Sequence, residues 1–151
     1  MTDFTLATNF IEQFEGFEPL AKWDMNAYRL GYGSDTEGPE QRPVTEGMHT
    51  TRERAFQNLE ARLPRFERRA RQQVGDLAWS ELPPQAQAAL LSVVYNYGSL
   101  PSNIANEVRA RAPLGIIASA VEARAGDNHG INARRRMLEA KYIMESKGKP
   151  Q

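Results

Sequence analysis

Two carboxylates near the start of the chain have the residue types and the spacing for glycosidic-bond chemistry. Glu15 precedes Asp24 by nine residues, and a short polar and aromatic segment lies between them. Cleavage of a glycoside generally uses one carboxylic acid to protonate the leaving oxygen and one carboxylate to activate water or stabilise the sugar cation. The spacing alone is common, and a solvated glutamate at a helix end is the alternative interpretation. The elements around the pair must decide between them.

The first of these elements is a helix that the apolar spacing predicts from Thr2 to Glu15. Thr2 or Asp3 would cap it and Gly16 would end it. Its buried face is indicated by residues at three- and four-residue steps, Ala7, Phe10, Ile11 and Phe14. Glu15 would then lie in the last turn, where the negative end of the helix dipole and the flanking phenylalanines suit a proton donor. Asp24 lies in a turn-rich stretch, where we expect it to be hydrated and ionised.

Glycines and prolines rule out a helix over residues 17–49 and favour short strands, one of them at 27–32. A capping box at Thr50–Glu53 predicts the next helix, with a kink or a restart at Pro64. Residues 85–97 are apolar nearly all round, which predicts a buried central helix that ends at Gly98. Shorter helices are expected at 102–112, 114–125 and 131–145. We therefore predict an α+β, mostly helical fold.

Composition limits the other possibilities. A chain of 151 residues with 40% hydrophobic residues suits one domain. We expect residues 1–151 to form it, with a β-rich lobe at 17–49 and helices in 1–16 and 50–146. Nineteen basic and nineteen acidic residues cancel, so charge predicts no nucleic-acid partner. The absence of cysteine excludes disulfides, and two histidines are too few for a His-rich metal site. We expect no metal, no cofactor, no membrane span and a monomer.

The residues around the carboxylates resemble a known family. Glu15-Gly16, Lys22-Trp23-Asp24 and Leu30-Gly31-Tyr32-Gly33 resemble the catalytic segment of the phage lysozymes of glycoside hydrolase family 24, which include the T-even phage lysozyme and the lambdoid endolysins. Two later stretches agree in order and spacing, Leu91–Gly98 with the end of the family's buried helix and Arg135–Glu139 with its Arg-Arg-x-x-Glu. The resemblance implies a lysozyme-like fold with a small β-hairpin lobe and a helical lobe.

The resemblance also implies roles for single residues. Glu15 matches the general acid and Asp24 the second catalytic carboxylate. Asn96 matches a cleft-lining amide, although capping the helix before Gly98 is an equal alternative. Tyr32 and Tyr97 are assigned to substrate binding. Tyr95 and Tyr97 could line a saccharide cleft, although an aromatic residue next to a buried helix is more often core. Arg135 is the favoured ion-pair partner of Glu15 among Arg134–Arg136. Trp23 could stack on a sugar or simply pack.

One position departs from the family. Arg29 replaces the threonine that helps to position the attacking water, and an arginine cannot accept a hydrogen bond. We include Arg29 among the catalytic positions because its charge would act on both carboxylates. The function implied is a muramidase that hydrolyses the bond between N-acetylmuramic acid and N-acetylglucosamine in peptidoglycan. The alternatives are a lytic transglycosylase that gives 1,6-anhydro products and a non-catalytic peptidoglycan-binding virion module.

The N-terminus lacks the basic and apolar regions of a secretory signal. We therefore expect the protein in the host bacterial cytoplasm before its release to the periplasm and cell wall, or associated with a virion.

Overall fold

The structure is a computed structural model that describes residues 2–147. The chain divides between Pro64 and Arg65 into two compact units. The elements of the first unit are α1 (Thr5–Glu12), β1 (Glu18–Asp24), β2 (Ala27–Gly31), β3 (Thr36–Glu37), β4 (Arg42–Pro43) and the first half of α2 (Arg52–Val74). Those of the second are the rest of α2, α3 (Asp76–Ser80), α4 (Pro84–Tyr97), α5 (Ser102–Arg109), α6 (Leu114–Glu122), a 3₁₀ helix (Asp127–Gly130) and α7 (Ala133–Lys147).

Helix α1 is shorter than predicted. The Asp3 carboxylate accepts a hydrogen bond from the Thr5 N–H at 2.9 Å, so the helix begins close to the expected cap. It ends at Glu12, and the prediction that Glu15 lies in the last turn is wrong. The Glu15 N–H donates to the Glu12 carbonyl at 3.2 Å, three residues back, so the chain tightens past the helix end. Glu15 is therefore on a bend directly after α1.

Strands β1 and β2 form an antiparallel hairpin. The prediction of a strand at 27–32 is confirmed for Ala27–Gly31. The hairpin register places Trp23 opposite Tyr28 and Asp24 opposite Ala27. Met25 makes the turn with a φ of 57°. This hairpin carries Asp24 at the end of one strand rather than in a loop.

Helix α2 differs from the prediction at two points. Thr51, not Thr50, caps it, because the Thr51 hydroxyl accepts the Arg54 N–H at 3.1 Å while the Thr50 hydroxyl donates to Glu37 at 2.9 Å. The helix also continues through Pro64, so it does not restart there, and the alternative prediction of a kink stays a prediction. Leu59 and Leu63 are fully buried on one stripe, and such packing can hold a helix together across one lost backbone hydrogen bond.

Helix α4 is the buried central helix that the sequence predicts. Eight of its fourteen residues are buried: Ala86, Ala88, Ala89, Leu90, Leu91, Ser92, Val93 and Val94. Gly98 ends it in the left-handed conformation, with a φ of 90° and its N–H on the Val94 carbonyl at 2.6 Å. Helix α4 packs against α7, and α6 packs against both α5 and α7.

The three C-terminal helices are confirmed with shifted ends, whereas the short helix α3 was not predicted. Its length leaves too few residues for a periodic pattern, although Trp79 is fully buried there. Within residues 2–147, no helix is both long enough and apolar enough to cross a membrane. The same part of the chain contains no cluster of three or more histidine, aspartate and glutamate side chains arranged to hold a metal ion.

Candidate functional site

The predicted site residues fall into two groups, one in each unit. Glu15, Asp24, Arg29 and Tyr32 belong to the first unit, and Asn96, Tyr97 and Arg135 belong to the second. The geometry of each group is described by itself.

Glu15 is half-buried and lines a cavity of about 500 Å³ in the first unit. The residues around this cavity are mostly polar or charged and come from α1 and the bend after it, from the turn after β2 and from α2: Asn9, Glu12, Gln13, Glu15, Tyr32, Arg52, Glu53 and Phe56. The bend after α1 therefore places Glu15 on a concave surface of the first unit.

Tyr32 is almost fully buried in the same cavity wall. Its hydroxyl donates to the Glu12 carboxylate at 3.0 Å, and its ring lies 5.8 Å from the ring of Phe17. Burial raises the pKa of Tyr32, as does the hydrogen bond to Glu12, while the charge of Arg52 opposes both. The Arg52 guanidinium lies over the Phe17 ring at 4.5 Å. These contacts describe a packing role for Tyr32, and its assignment to substrate binding stays a prediction.

Asp24 and Arg29 are brought together by the hairpin. Their side chains form an ion pair with Arg29 Nε 3.7 Å from Asp24 Oδ2, and the Asp24 side chain is 64% exposed. Arg29 also donates to the Gly33 carbonyl at 3.4 Å. The expected hydrated setting of Asp24 is confirmed, and the arginine in the threonine position contacts the carboxylate itself.

In the second unit, Asn96 and Tyr97 are both held by Arg136. The Arg136 guanidinium donates to Asn96 Oδ1 at 2.9 Å and lies 4.9 Å from the centre of the Tyr97 ring. The Tyr97 hydroxyl donates to Asp127 at 2.6 Å. Both site residues are exposed at the end of α4, whereas Arg136 is fully buried beneath them. Arg136 therefore orients the Asn96 amide towards solvent.

Arg135 lies against α4. Its guanidinium donates to the Ser92 hydroxyl at 3.1 Å and to the Ser92 carbonyl at 3.2 Å, and Nε is 3.4 Å from Glu139. Only 6% of Arg135 is exposed. Its predicted ion pair with Glu15 stays a prediction.

Two contacts of the site were missed in the sequence, that of Arg136 with Asn96 and that of Arg52 with Phe17. Arg136 could have been found from its spacing to Glu139, because residues three apart share a helix face and form an ion pair here. Arg52 carried no such signal, because its contact with Phe17 joins distant parts of the chain.

One carboxyl group on a concave surface and a second one exposed to solvent are the residue types that acid–base cleavage of a glycoside uses. An exposed amide and an aromatic hydroxyl suit hydrogen bonding to a saccharide.

Comparison with known proteins gives a family match over most of the chain. The model of the family described as phage lysozyme matches residues 12–137, a span that includes every predicted site residue. Among curated protein sequences, none matches significantly.

Several solved structures share the fold. An endolysin from the Escherichia coli O157:H7 phage FAHEc1 has a TM-score of 0.70 and 23% identity, over 100% of this chain and 98% of that one. A mutant of the phage P22 lysozyme has a TM-score of 0.77 and 19% identity, over 95% and 99% of the two chains. The muramidase domain of SpmX from Asticaccaulis excentricus has a TM-score of 0.70 and 20% identity, over 93% and 95%. The predicted α+β, lysozyme-like fold is confirmed.

Proposed function

The chain belongs to the phage lysozyme family, and on this premise we propose that it is a muramidase of bacterial peptidoglycan. The bond cleaved is the one between N-acetylmuramic acid and N-acetylglucosamine. Glu15 is the general acid and Asp24 is the second carboxylate.

The contrast between the two carboxylates carries this proposal. Glu15 is half-buried in the wall of a polar cavity, whereas the Asp24 side chain is 64% exposed and paired with Arg29. A glycosidase uses two carboxyl groups in different roles, and the surroundings of these two groups differ. The family match spans both residues.

The remaining site residues have supporting roles in this proposal. Asn96, held by Arg136, donates its amide N–H to a sugar oxygen or acetamide carbonyl. Tyr97 borders the same surface, and Tyr32 supports the wall that contains Glu15.

The test is digestion of purified peptidoglycan, with the released muropeptides identified by mass spectrometry. The wild type should release fragments with reducing ends, and Glu15→Gln should lower the rate at least about 100-fold, since general acid catalysis contributes about that much or more. Glu18→Gln is the matched control, because the Glu18 side chain is 47% exposed and pairs with Lys22 of the same strand. Equal rates for Glu15→Gln and the wild type would refute the role of Glu15. No digestion by the wild type would favour a non-catalytic binding module.

Arg29 supports a second candidate, a lytic transglycosylase. In that reaction the 6-hydroxyl of the muramic acid attacks in place of water, so no residue has to hold a water molecule. The Arg29 guanidinium has only hydrogen-bond donors, whereas a hydroxyl that positions water accepts a hydrogen bond from it. Arg29 also forms an ion pair with Asp24. Anhydro ends in the same digest would identify this reaction.

Replacement of Arg29 tests whether this arginine only occupies the position of the family's threonine or has a catalytic role of its own. Arg29→Thr should preserve or raise hydrolysis if the arginine only occupies the threonine position. A loss of more than about tenfold, equivalent to about 1.4 kcal/mol of barrier, would show that the ion pair with Asp24 is part of catalysis. Product analysis of the same variant shows whether water has become the nucleophile.

We also propose that the protein acts as a monomer and reaches the wall either by release from the host cytoplasm or as part of a virion. Analytical ultracentrifugation tests the first point. Mass spectrometry of purified virions separates the two routes of delivery.

A further inference from the structure

An aromatic pair on the β1–β2 hairpin has no part in the site described above. Trp23 and Tyr28 are cross-strand partners, with ring centroids 5.1 Å apart and planes at 73°. Trp23 is 61% exposed, and Met25 in the adjoining turn is 91% exposed. Large apolar side chains are seldom exposed together on a soluble protein without a binding role.

This pair lies on the other face of the hairpin from the carboxylate. Neighbouring residues of a strand point to opposite faces, so Trp23 and Asp24 point away from each other. The contacts agree, because Trp23 packs on Tyr28 whereas Asp24 pairs with Arg29. The aromatic face and the Asp24–Arg29 face are therefore separate surfaces of one small ribbon.

A carboxylate borders the aromatic face. The Tyr28 hydroxyl donates to Glu46 Oε2 at 2.8 Å, which fixes the phenol ring from the segment before α2. An ionised carboxylate has about four acceptor sites, so Glu46 can bind further donors while it holds Tyr28. The surface thus combines an exposed indole with hydrogen-bond acceptors at its edge.

We propose that Trp23, Tyr28 and Glu46 form a second glycan-binding site, which takes a 2-acetamido sugar. The apolar C–H face of the pyranose stacks on the indole, and its hydroxyl or acetamide N–H groups donate to Glu46. That this sugar belongs to peptidoglycan rests on the proposed function. The site would keep the enzyme on the wall while the other face of the hairpin acts on a strand.

The charge and size of the surface favour a sugar over other occupants. An anionic membrane attracts basic surfaces, whereas Glu46 is acidic and Lys22 is paired with Glu18. A stable protein interface needs about 800 Å² from each partner. Two aromatic side chains supply at most about 150–250 Å² each. One pyranose ring matches an area of this size.

The first experiment measures binding without digestion. In the Glu15→Gln background, sedimentation with insoluble peptidoglycan sacculi should show at least about fivefold weaker binding for Trp23→Ala, because the indole supplies the stacking face. Trp23→Phe should recover most of the binding. Leu77→Ala is the control, because Leu77 is 71% exposed in the second unit and should not matter. Undiminished binding by Trp23→Ala would overturn the proposal.

A second measurement does not depend on the variants. Trp23 is exposed whereas Trp79 is fully buried with its indole N–H on Glu67, so their two indole signals in an NMR spectrum report different surroundings. Titration with an N-acetylglucosamine oligomer should shift the Trp23 signal and leave that of Trp79 in place. A Trp23 signal that moves with phosphatidylglycerol vesicles or with protein concentration, but not with the oligomer, would overturn the proposal. Both measurements report binding, so they stay informative even if the wild type releases no muropeptides.

Discussion

Both units bury a glutamate between two arginines and a hydroxyl group, yet the pKa values of the two carboxyl groups are shifted in opposite directions. In the first unit Glu37 is 1% exposed, and in the second Glu139 is fully buried. Hydrogen bonds from Arg54 are the main cause that lowers the pKa of Glu37 to about 2, and Arg42 adds to it. Burial raises the pKa of Glu139, although Arg136 opposes the shift.

The exposure of the arginines separates the two clusters. The arginines of Glu37 reach water, since the side chain of Arg42 is 59% exposed and that of Arg54 is 36% exposed. Their ion pairs with Glu37 are both 2.6 Å long. In the other cluster Arg136 is fully buried together with Glu139. Burial of a carboxylate has a small desolvation free energy when its charged partners remain hydrated. Burial of the whole ion pair has a much larger one.

The two clusters also do different work. Glu37, on β3, accepts hydrogen bonds from Arg42 on β4, from Thr50 before α2 and from Arg54 on α2. These bonds stabilise the β region of the first unit. Glu139 fixes Arg136, which in turn holds Asn96. The buried cluster thus supports a proposed substrate-binding amide, whereas the hydrated cluster supports the fold alone.

The largest expected effect is at Glu139. Glu139→Gln leaves the Arg136 charge buried without a full counter-ion, so we expect a loss of about 3–5 kcal/mol in the free energy of unfolding. Urea unfolding followed by circular dichroism measures it. Glu145→Gln, an exposed change on the same helix, should leave the stability unchanged. A loss below about 1 kcal/mol for Glu139→Gln would mean that water reaches this cluster as it does the other.

Glu37→Gln should cost less, about 2 kcal/mol, because Arg42 and Arg54 can regain water when the charge is removed. The same urea titration at neutral pH measures this loss. Glu40→Gln is the control, since Glu40 is exposed and also bonds Arg54. If Glu37→Gln is as costly as Glu139→Gln, exposure of the arginines does not explain the difference between the clusters.

The pH dependence of stability should have opposite signs for the two groups. The folded pKa of Glu37 lies near 2, below its ordinary value of 4.5, so its contribution is complete above pH 4.5 and is lost as the pH falls towards 2. Glu139 binds its proton more tightly in the folded state, so its contribution declines as the pH rises above 4.5 through its raised pKa. Unfolding free energies of the wild type and Glu37→Gln should therefore converge as the pH approaches 2. Parallel curves down to pH 2 would contradict the lowered pKa of Glu37.

The two hydroxyl groups are expected to contribute as much to stability as Glu37 does, or less. Thr50→Val removes one hydrogen bond to Glu37 and should cost about 1 kcal/mol. Ser92→Ala should cost about 2 kcal/mol, because the Ser92 hydroxyl bonds both Glu139 and Arg135 inside the buried cluster. Thermal unfolding ranks the two variants. The reverse order would show that the hydrated cluster depends more on its hydroxyl than the buried one does.

Local patterns determined much of this protein. The apolar run of α4 and its glycine end, the strand at β2 and the breakers between 17 and 49 are all short-range signals, and each predicted its element. The spacing of Glu15 and Asp24 and the three matching motifs were enough to predict the family, and the family match confirms it. Such features depend on periodicity and turn chemistry, which neighbouring residues carry.

Tertiary structure determined which distant side chains contact one another. Thr50 does not cap α2 as predicted, because its hydroxyl donates a hydrogen bond to Glu37 on β3. Asn96 accepts a hydrogen bond from Arg136, and this contact depends on how α4 packs against α7. Trp23 could stack or pack by its sequence, and only the hairpin register placed it in solvent on the face away from Asp24. Contacts between distant residues follow from packing, which no local spacing encodes.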